Sequence, residues 1–261
     1  MKTDSYLKKI ERFKRGHSEE GTLYVVTDPA DIPAASGLGA TFVYYTDTSK
    51  RTDDANSYLD GVKYVLEGAG EFDPEEFDDD FFENVYRRLK HIPLDIMETD
   101  RCILRETWIP DLDSFYEIYS DTSVTKYMED LMERSEEEKY TENYRDLIYE
   151  IYGHGIWTVI LKETGEIIGR AGLDERAGYD RPELGFLIGP KWQRQGLAEE
   201  VCRGILDWAS GNDIDEVMSI TDPENIASVN LLKKLGFTRS GAFDDTRDIW
   251  VRINGDGSHG Q

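Results

Sequence analysis

The sequence predicts an α/β (α+β) chain in two domains, a small one over residues 1–95 and a larger one over residues 96–261. Three observations carry that expectation. Short apolar strands alternate with amphipathic helices through the first third of the chain, as in a small α/β unit. His91, Ile92 and Pro93 then interrupt a helical pattern, because the residue before a proline is biased out of the helical region. Beyond them, two apolar runs flank Thr164-Gly165, and a third ends in a nearly bulk-free turn that opens into a helix. With 261 residues, the chain has length enough to bury two cores.

Composition narrows the function. The formal net charge of -24 repels nucleic acid and anionic membrane surfaces, so neither is expected as a partner. Cys102 and Cys202 are the only two cysteines, far apart and without clustered histidines, so neither a disulfide framework nor a metal site is expected. No apolar leader opens the chain and no run is long enough to span a bilayer, which predicts a cytoplasmic protein.

Taken in order, Leu7, Ile10 and Phe13 share one helical face among Lys8, Lys9, Arg12, Lys14 and Arg15, predicting a basic amphipathic helix over residues 5–15. Residues 23–26, 41–45 and 62–66 read as strands, with a short helical turn over residues 32–38 closed by Gly39. Asp28 and Asp31 stand at a helix start, where carboxylates serve as caps. Asp73, Pro74 and Glu76 form an N-cap, first-turn proline and capping-box acid for a helix carrying Phe77, Phe81, Phe82, Val85, Tyr86 and Leu89. The larger domain opens with a strand over residues 102–105, a helix over 111–119 and another over 136–152. A hairpin over residues 157–173 follows, then strands over 183–188, 216–220 and 248–253 and helices from Gly196 and over 225–235. The Gly-rich tail, residues 255–261, is expected to be mobile.

The turn between the strand over 183–188 and the next helix carries the chemistry. The first amides of a helix have no partner within it, and the macrodipole makes that end positive. Gly196 and Ala198 leave little in the way of a diphosphate approaching bare backbone there. Neither the P-loop nor the triple-glycine dinucleotide pattern is present.

Gln193-x-x-Gly196-x-Ala198, in this position, resembles the coenzyme A diphosphate signature of the GNAT family of N-acetyltransferases. Asn225, Ser228 and Leu235-Gly236-Phe237 are similar to the pattern of the branch that acetylates ribosomal-protein N-termini. The resemblance covers residues 98 to the end. It implies a GNAT fold, a mixed and mostly antiparallel sheet with a splayed central strand pair, and acetyl-CoA as acyl donor without a metal. It further implies that the pantetheine arm pairs with the backbone of Phe186, Leu187 and Ile188, that the amides of Arg194, Gln195, Gly196, Leu197 and Ala198 hold the diphosphate, that Gln193 frames the turn, and that Asn225 touches the coenzyme.

An amine attacking a thioester must lose a proton, and the departing thiolate must gain one. Glu183, at the mouth of the strand, is the candidate base. Many family members place a tyrosine four residues before the Gly-Phe pair as the acid; Leu232 stands there, which leaves Ser228. A solvent-facing strand-end carboxylate and a helix serine bonded back to a carbonyl are the structural alternatives. Carboxylates and Tyr116, Tyr119, Tyr127, Tyr140, Tyr144 and Tyr149 crowd the region that overhangs the acceptor in the family, which would suit a cationic amine. The acceptor is either a small-molecule amine or a protein N-terminus, and the protein a monomer or homodimer.

The layout of the first domain is similar to half of a haloacid-dehalogenase-like Rossmann unit. It lacks that family's Asp-x-Asp nucleophile turn, so it is read as non-catalytic. Two other classes remain: a catalytically lapsed acyl-CoA-binding regulatory module, and a phosphate-ester hydrolase, for which no nucleophile is present.

Overall fold

The computed structural model describes residues 7–14, 18–50, 62–77, 80–128 and 132–254. The chain divides into two compact units, Met1–Leu94 and Asp95–Gln261. The predicted mobile tail lies outside the described residues.

In the first unit β1 (Lys9–Arg12), β2 (Thr22–Val26), β3 (Phe42–Asp47) and β4 (Val65–Gly68) pair side by side in that order, all parallel. A parallel sheet covered on both faces needs strands that are apolar throughout, and every residue of β2 is buried. Tyr24 and Val26 pack with Ile32 and Ala35 of α1 (Ile32–Gly37), whereas Leu23 and Val25 pack with Phe82, Val85 and Tyr86 of α2 (Phe81–Leu89).

Two predicted helices change here. Leu7, Ile10 and Phe13 do not mark a helix, since Ile10 pairs opposite Leu23 in the sheet and Phe13 packs edge-on against Tyr24 at 5.9 Å. A spacing of three over so few residues does not separate a helix from an edge strand, and the ladder decides. Asp73 accepts from Glu75 N at 2.9 Å but caps only a 3-10 turn, Pro74–Glu76; Phe77 is extended and stacks on Phe81 at 4.9 Å, so α2 starts later. Asp28 is a cap as expected, accepting from Ala30 N at 2.9 Å.

The second unit contains β5 (Asp95–Glu98), β6 (Cys102–Glu106), α3 (Leu112–Tyr119), α4 (Thr122–Thr125), α5 (Arg134–Tyr144) and α6 (Glu150–Tyr152). It continues with β7 (Ile156–Leu161), β8 (Ile167–Asp174), β9 (Glu183–Ile188), α7 (Leu197–Gly211), β10 (Glu216–Thr221), α8 (Ile226–Lys234), β11 (Thr238–Ala242) and β12 (Asp248–Ile253). Its sheet runs β11-β12-β10-β9-β8-β7-β6-β5, antiparallel everywhere except between β10 and β9. The apolar stripe of α7 (Val201, Cys202, Ile205, Ala209) closes one core with Leu104, Val159, Ile168 and Leu184. The α3 stripe (Leu112, Phe115, Ile118, Tyr119) closes another with Ile167 and Leu187. No helix among the described residues is long and apolar enough to cross a membrane.

Strands β5 and β11 escape the sequence reading because they are the outer strands, partly or fully exposed along their length, and carry no apolar alternation. The predicted helix over 136–152 is interrupted by a π-helical turn, Arg145–Tyr149. Five residues make one π turn, so Tyr144 and Tyr149 project the same way, with rings 5.1 Å apart. Tyr144 accepts from Ile156 N at 2.9 Å and donates to Asp174 at 2.5 Å, while Tyr149 donates to Ile156 O. Both tyrosines therefore tie this helix to β7.

Ahead of α3, buried Asp111 accepts two bonds from the Arg105 guanidinium (2.6 and 2.7 Å), one from Trp108 N (2.8 Å) and one from the Thr158 hydroxyl (2.8 Å). Asp111→Ala strands a largely buried guanidinium and is expected to destabilise the second unit by about 3–5 kcal/mol, read as a lower midpoint in urea unfolding followed by tryptophan fluorescence.

Candidate functional site

Strand β9 is paired along its whole length with β8, Glu183 opposite Asp174 through Ile188 opposite Gly169, but with β10 only at Glu183, opposite Met218. Met218 N donates to Pro182 O at 3.0 Å and the Ser219 hydroxyl to Leu184 O at 2.9 Å. Beyond that vertex, no ladder joins the two strands among the described residues. Since Leu184 O points toward β10, the two-residue period sends the backbone groups of Phe186 and Ile188 the same way, into the gap. Leu187 lies between them and turns its backbone toward β8, opposite Arg170, and its side chain toward α3. Of these three residues, Phe186 turns its backbone to the gap, Ile188 turns its amide there while its carbonyl accepts from Gln193, and Leu187 faces β8.

A cleft of about 530 Å³ opens at this gap, lined among others by Glu183, Phe186, Asp222, Asn225, Ser228 and Tyr127. Glu183 is not a solvent-facing carboxylate. Its side chain is 15% exposed and accepts from Arg176 Nε at 2.5 Å. Burial pushes its carboxyl above the usual range, opposed by the Arg176 cation. Asn225 caps α8 by accepting from Ser228 N at 3.2 Å, which places the two residues together in one turn of chain. Among the described residues, the Ser228 hydroxyl makes no bond back to a carbonyl, unlike Thr141, which bonds Glu137 O at 2.8 Å.

At the far end of β9, Gln193 donates through Nε2 to Ile188 O at 2.8 Å and fastens the turn to the strand. Arg194 (φ 59°) and Gly196 (φ 80°) are both left-handed, which curls the backbone tightly ahead of α7. A side chain in this conformation costs roughly 1–2 kcal/mol at Arg194, and Gly196 avoids that cost. Residues 193–196 are exposed, and a Cβ at Gly196 would meet only the Arg101 guanidinium, at 3.6 Å. The start of α7, from Leu197, is thus reachable by an anion. Gln193 to Ala198 form this open cradle, while Glu183, Phe186, Asn225 and Ser228 meet at the cleft, with β9 running between the two.

The tyrosines overhanging the site are mostly structural. Tyr144 and Tyr149 hold the π turn, Tyr116 donates to Met132 O at 2.8 Å, and Tyr119 bonds Arg170 at 3.2 Å. Only Tyr127 of the six borders the cleft. Nor is the cleft acidic, because Lys126, Arg176 and Arg247 stand against Glu183 and Asp222. These basic residues lie on loops without motif spacing, so nothing in the sequence marks them. Cys102 and Cys202 are buried and free, with thiols pushed up by burial, which leaves both inert. No metal-holding cluster occurs among the described residues.

Residues 101–238 match the family model of the acetyltransferase (GNAT) domain. The chain is similar to an uncharacterized N-acetyltransferase, p20, of Bacillus licheniformis, at 28% identity over 158 residues, which covers 58% of this chain and 87% of that protein. Among solved structures it is similar in fold to a ribosomal-protein alanine acetyltransferase of Vibrio fischeri (TM-score 0.53, 15% identity, covering 61% of this chain and 97% of that one). It is likewise similar to a chimeric spermidine N-acetyltransferase from Vibrio cholerae and hSSAT (TM-score 0.50, 19% identity, covering 59% and 96%).

Arg176→Met removes the cation that favours the Glu183 carboxylate and leaves burial opposed by the Ile220 backbone hydrogen bond. Its pKa is expected to rise further, observed as an upward shift in the carboxyl-carbon NMR titration of that residue.

Proposed function

The chain belongs to the GNAT acetyltransferase family, and from that premise we propose that it moves an acetyl group from acetyl-CoA to a primary amine, by direct attack with both substrates bound. The observation that supports this reading best is the one-sided pairing of β9, which leaves an unladdered backbone edge leading from an open anion cradle to a cleft. The cradle suits the paired phosphates, and the Phe186 and Ile188 edge suits the amide-bearing pantetheine arm, added as a strand adds to a sheet.

Each chemical demand then has a group to meet it. Glu183, its proton affinity raised by burial, takes the proton from the amine. A backbone amide on the open edge of β9 stabilises the carbonyl oxygen as it gains charge. Ser228, with its hydroxyl in the cleft, gives a proton to the departing thiolate. The reaction has no covalent enzyme step, in keeping with two inert cysteines.

Structural neighbours include enzymes named for a ribosomal protein and for spermidine. The charged residues lining the cleft are largely paired, Arg176 with Glu183 and Arg247 with Asp244, so it lacks the surplus of carboxylates a polycation would use, which leaves a small-molecule amine or a protein N-terminus as the acceptor. The first unit is read as taking no part in this chemistry: it lacks a nucleophile turn, and Asp28 is engaged in capping. A cytoplasmic location, where acetyl-CoA is made available, fits the reading.

The direct test is thiol release from acetyl-CoA across a panel of amines, paired with calorimetry of coenzyme binding. Wild type is expected to release thiol with at least one monoamine or peptide more efficiently than with spermidine, and Gly196→Glu to lose binding because it puts a charged side chain into the cradle. Coenzyme binding without any turnover would instead mark a lapsed, acyl-CoA-binding regulatory module. Ser228→Ala is expected to lower kcat by about 10²- to 10⁴-fold with little change in coenzyme affinity, measured by steady-state kinetics.

A further inference from the structure

The start of α7 carries two acids, Glu199 and Glu200, at the place where the proposed reading, on which this inference rests, seats a diphosphate. Left bare, each would repel that ligand. Glu199 is paired with Arg203 at 3.0 Å and with Lys234. Glu200 is held from across the sheet by the turn between β5 and β6. One carboxylate oxygen accepts from Thr99 Oγ1 at 2.6 Å and Arg101 N at 2.7 Å, and the other accepts from Arg101 Nε at 2.6 Å.

The same guanidinium reaches onto the cradle. Arg101 Nη1 donates to Gln195 O at 3.0 Å, which ties up that carbonyl, and Nη2 stands beside Gly196 with no hydrogen-bond partner among the described residues. The side chain is 47% exposed, so the remaining N–H groups face solvent at the mouth of the turn. An arginine fork fixed by two of its nitrogens and open at the third is suited to a phosphate oxygen.

We infer that Arg101 is a positioning residue for the coenzyme diphosphate: it cancels the charge of Glu200, holds the Gln193–Ala198 turn in its receptive form, and offers Nη2 to a phosphate oxygen. Nothing in the coenzyme signature of the turn includes this residue, which lies far back in the chain and reaches the site through the β5–β6 turn.

The experiment uses the full chain and two acyl donors, acetyl-CoA and acetylpantetheine, which lacks the diphosphate and nucleotide. Arg101→Gln is expected to weaken acetyl-CoA binding about ten- to hundredfold by calorimetry and to raise its KM in proportion while kcat is retained. Acetylpantetheine turnover stays at the wild-type level. Arg101→Lys recovers part of the loss, and adding Glu200→Gln to Arg101→Gln recovers part as well, because the uncompensated carboxylate is gone. Equal affinity of wild type and Arg101→Gln for acetyl-CoA, or an equal loss for both donors, overturns the inference and leaves the proposed reaction standing. Wild-type protein that binds acetyl-CoA no better than Gly196→Glu overturns both.

Discussion

The second unit depends on a single place where two parallel strands part: among the described residues the β9–β10 ladder holds only at Glu183 and Met218, with one side-chain bond from Ser219 to Leu184 O just past it. A sheet interior normally satisfies every backbone group, and unpaired ones are costly unless water or a ligand takes them. Here the strands can diverge because each keeps a complete ladder on its other side, β9 with β8 and β10 with β12. The sheet therefore survives the split. The outcome is a row of backbone donors and acceptors inside a protein, facing a cleft, without an exposed outer edge that invites aggregation.

Packing fixes the direction of the split. Leu184 and Ile188 are buried with the α7 stripe, and Leu187 is held on the opposite face by α3, so β9 cannot rotate to follow β10. Two glycines of β8 keep the sheet tight on the paired side. A Cβ at Gly169 would lie 2.0 Å from Leu187 O, and one at Gly172 would lie 1.9 Å from Gly155 O. The close approach of β8 to both neighbours concentrates the opening on the β10 side.

How much of this was legible in the sequence follows from what periodicity and local motifs can encode. The elements that carry the site, β9, the glycine turn and α7, are each marked by their own residues: an apolar run, Gly196, and a stripe at helical spacing. The strand gap itself is not encoded in any one stretch, because it is the absence of pairing between segments far apart, and it was legible only through the family resemblance. A run of three adjacent residues ignores the alternation that sends every second one the other way, so Leu187 turns its backbone to β8 while its neighbours face the gap. Outer strands β5 and β11 left no pattern, being exposed, and the π turn appeared as plain helix because Tyr144 and Tyr149 differ from helical spacing by only one residue. Arg101, Arg176 and Lys126 reach the site from turns and loops, where position depends on tertiary contacts alone.

The vertex of the gap also explains the chemistry assigned to Glu183. A carboxylate at a strand end in solvent would have an ordinary proton affinity and serve poorly as a base near neutral pH. At the vertex it lies where the last rung between β9 and β10 closes over it, dry enough that burial raises its proton affinity, yet at the boundary of the cleft where an amine can reach. Arg176 opposes the shift without abolishing it. The same parting of β9 from β10 that leaves a backbone edge unladdered therefore also sets the surroundings of the Glu183 carboxyl.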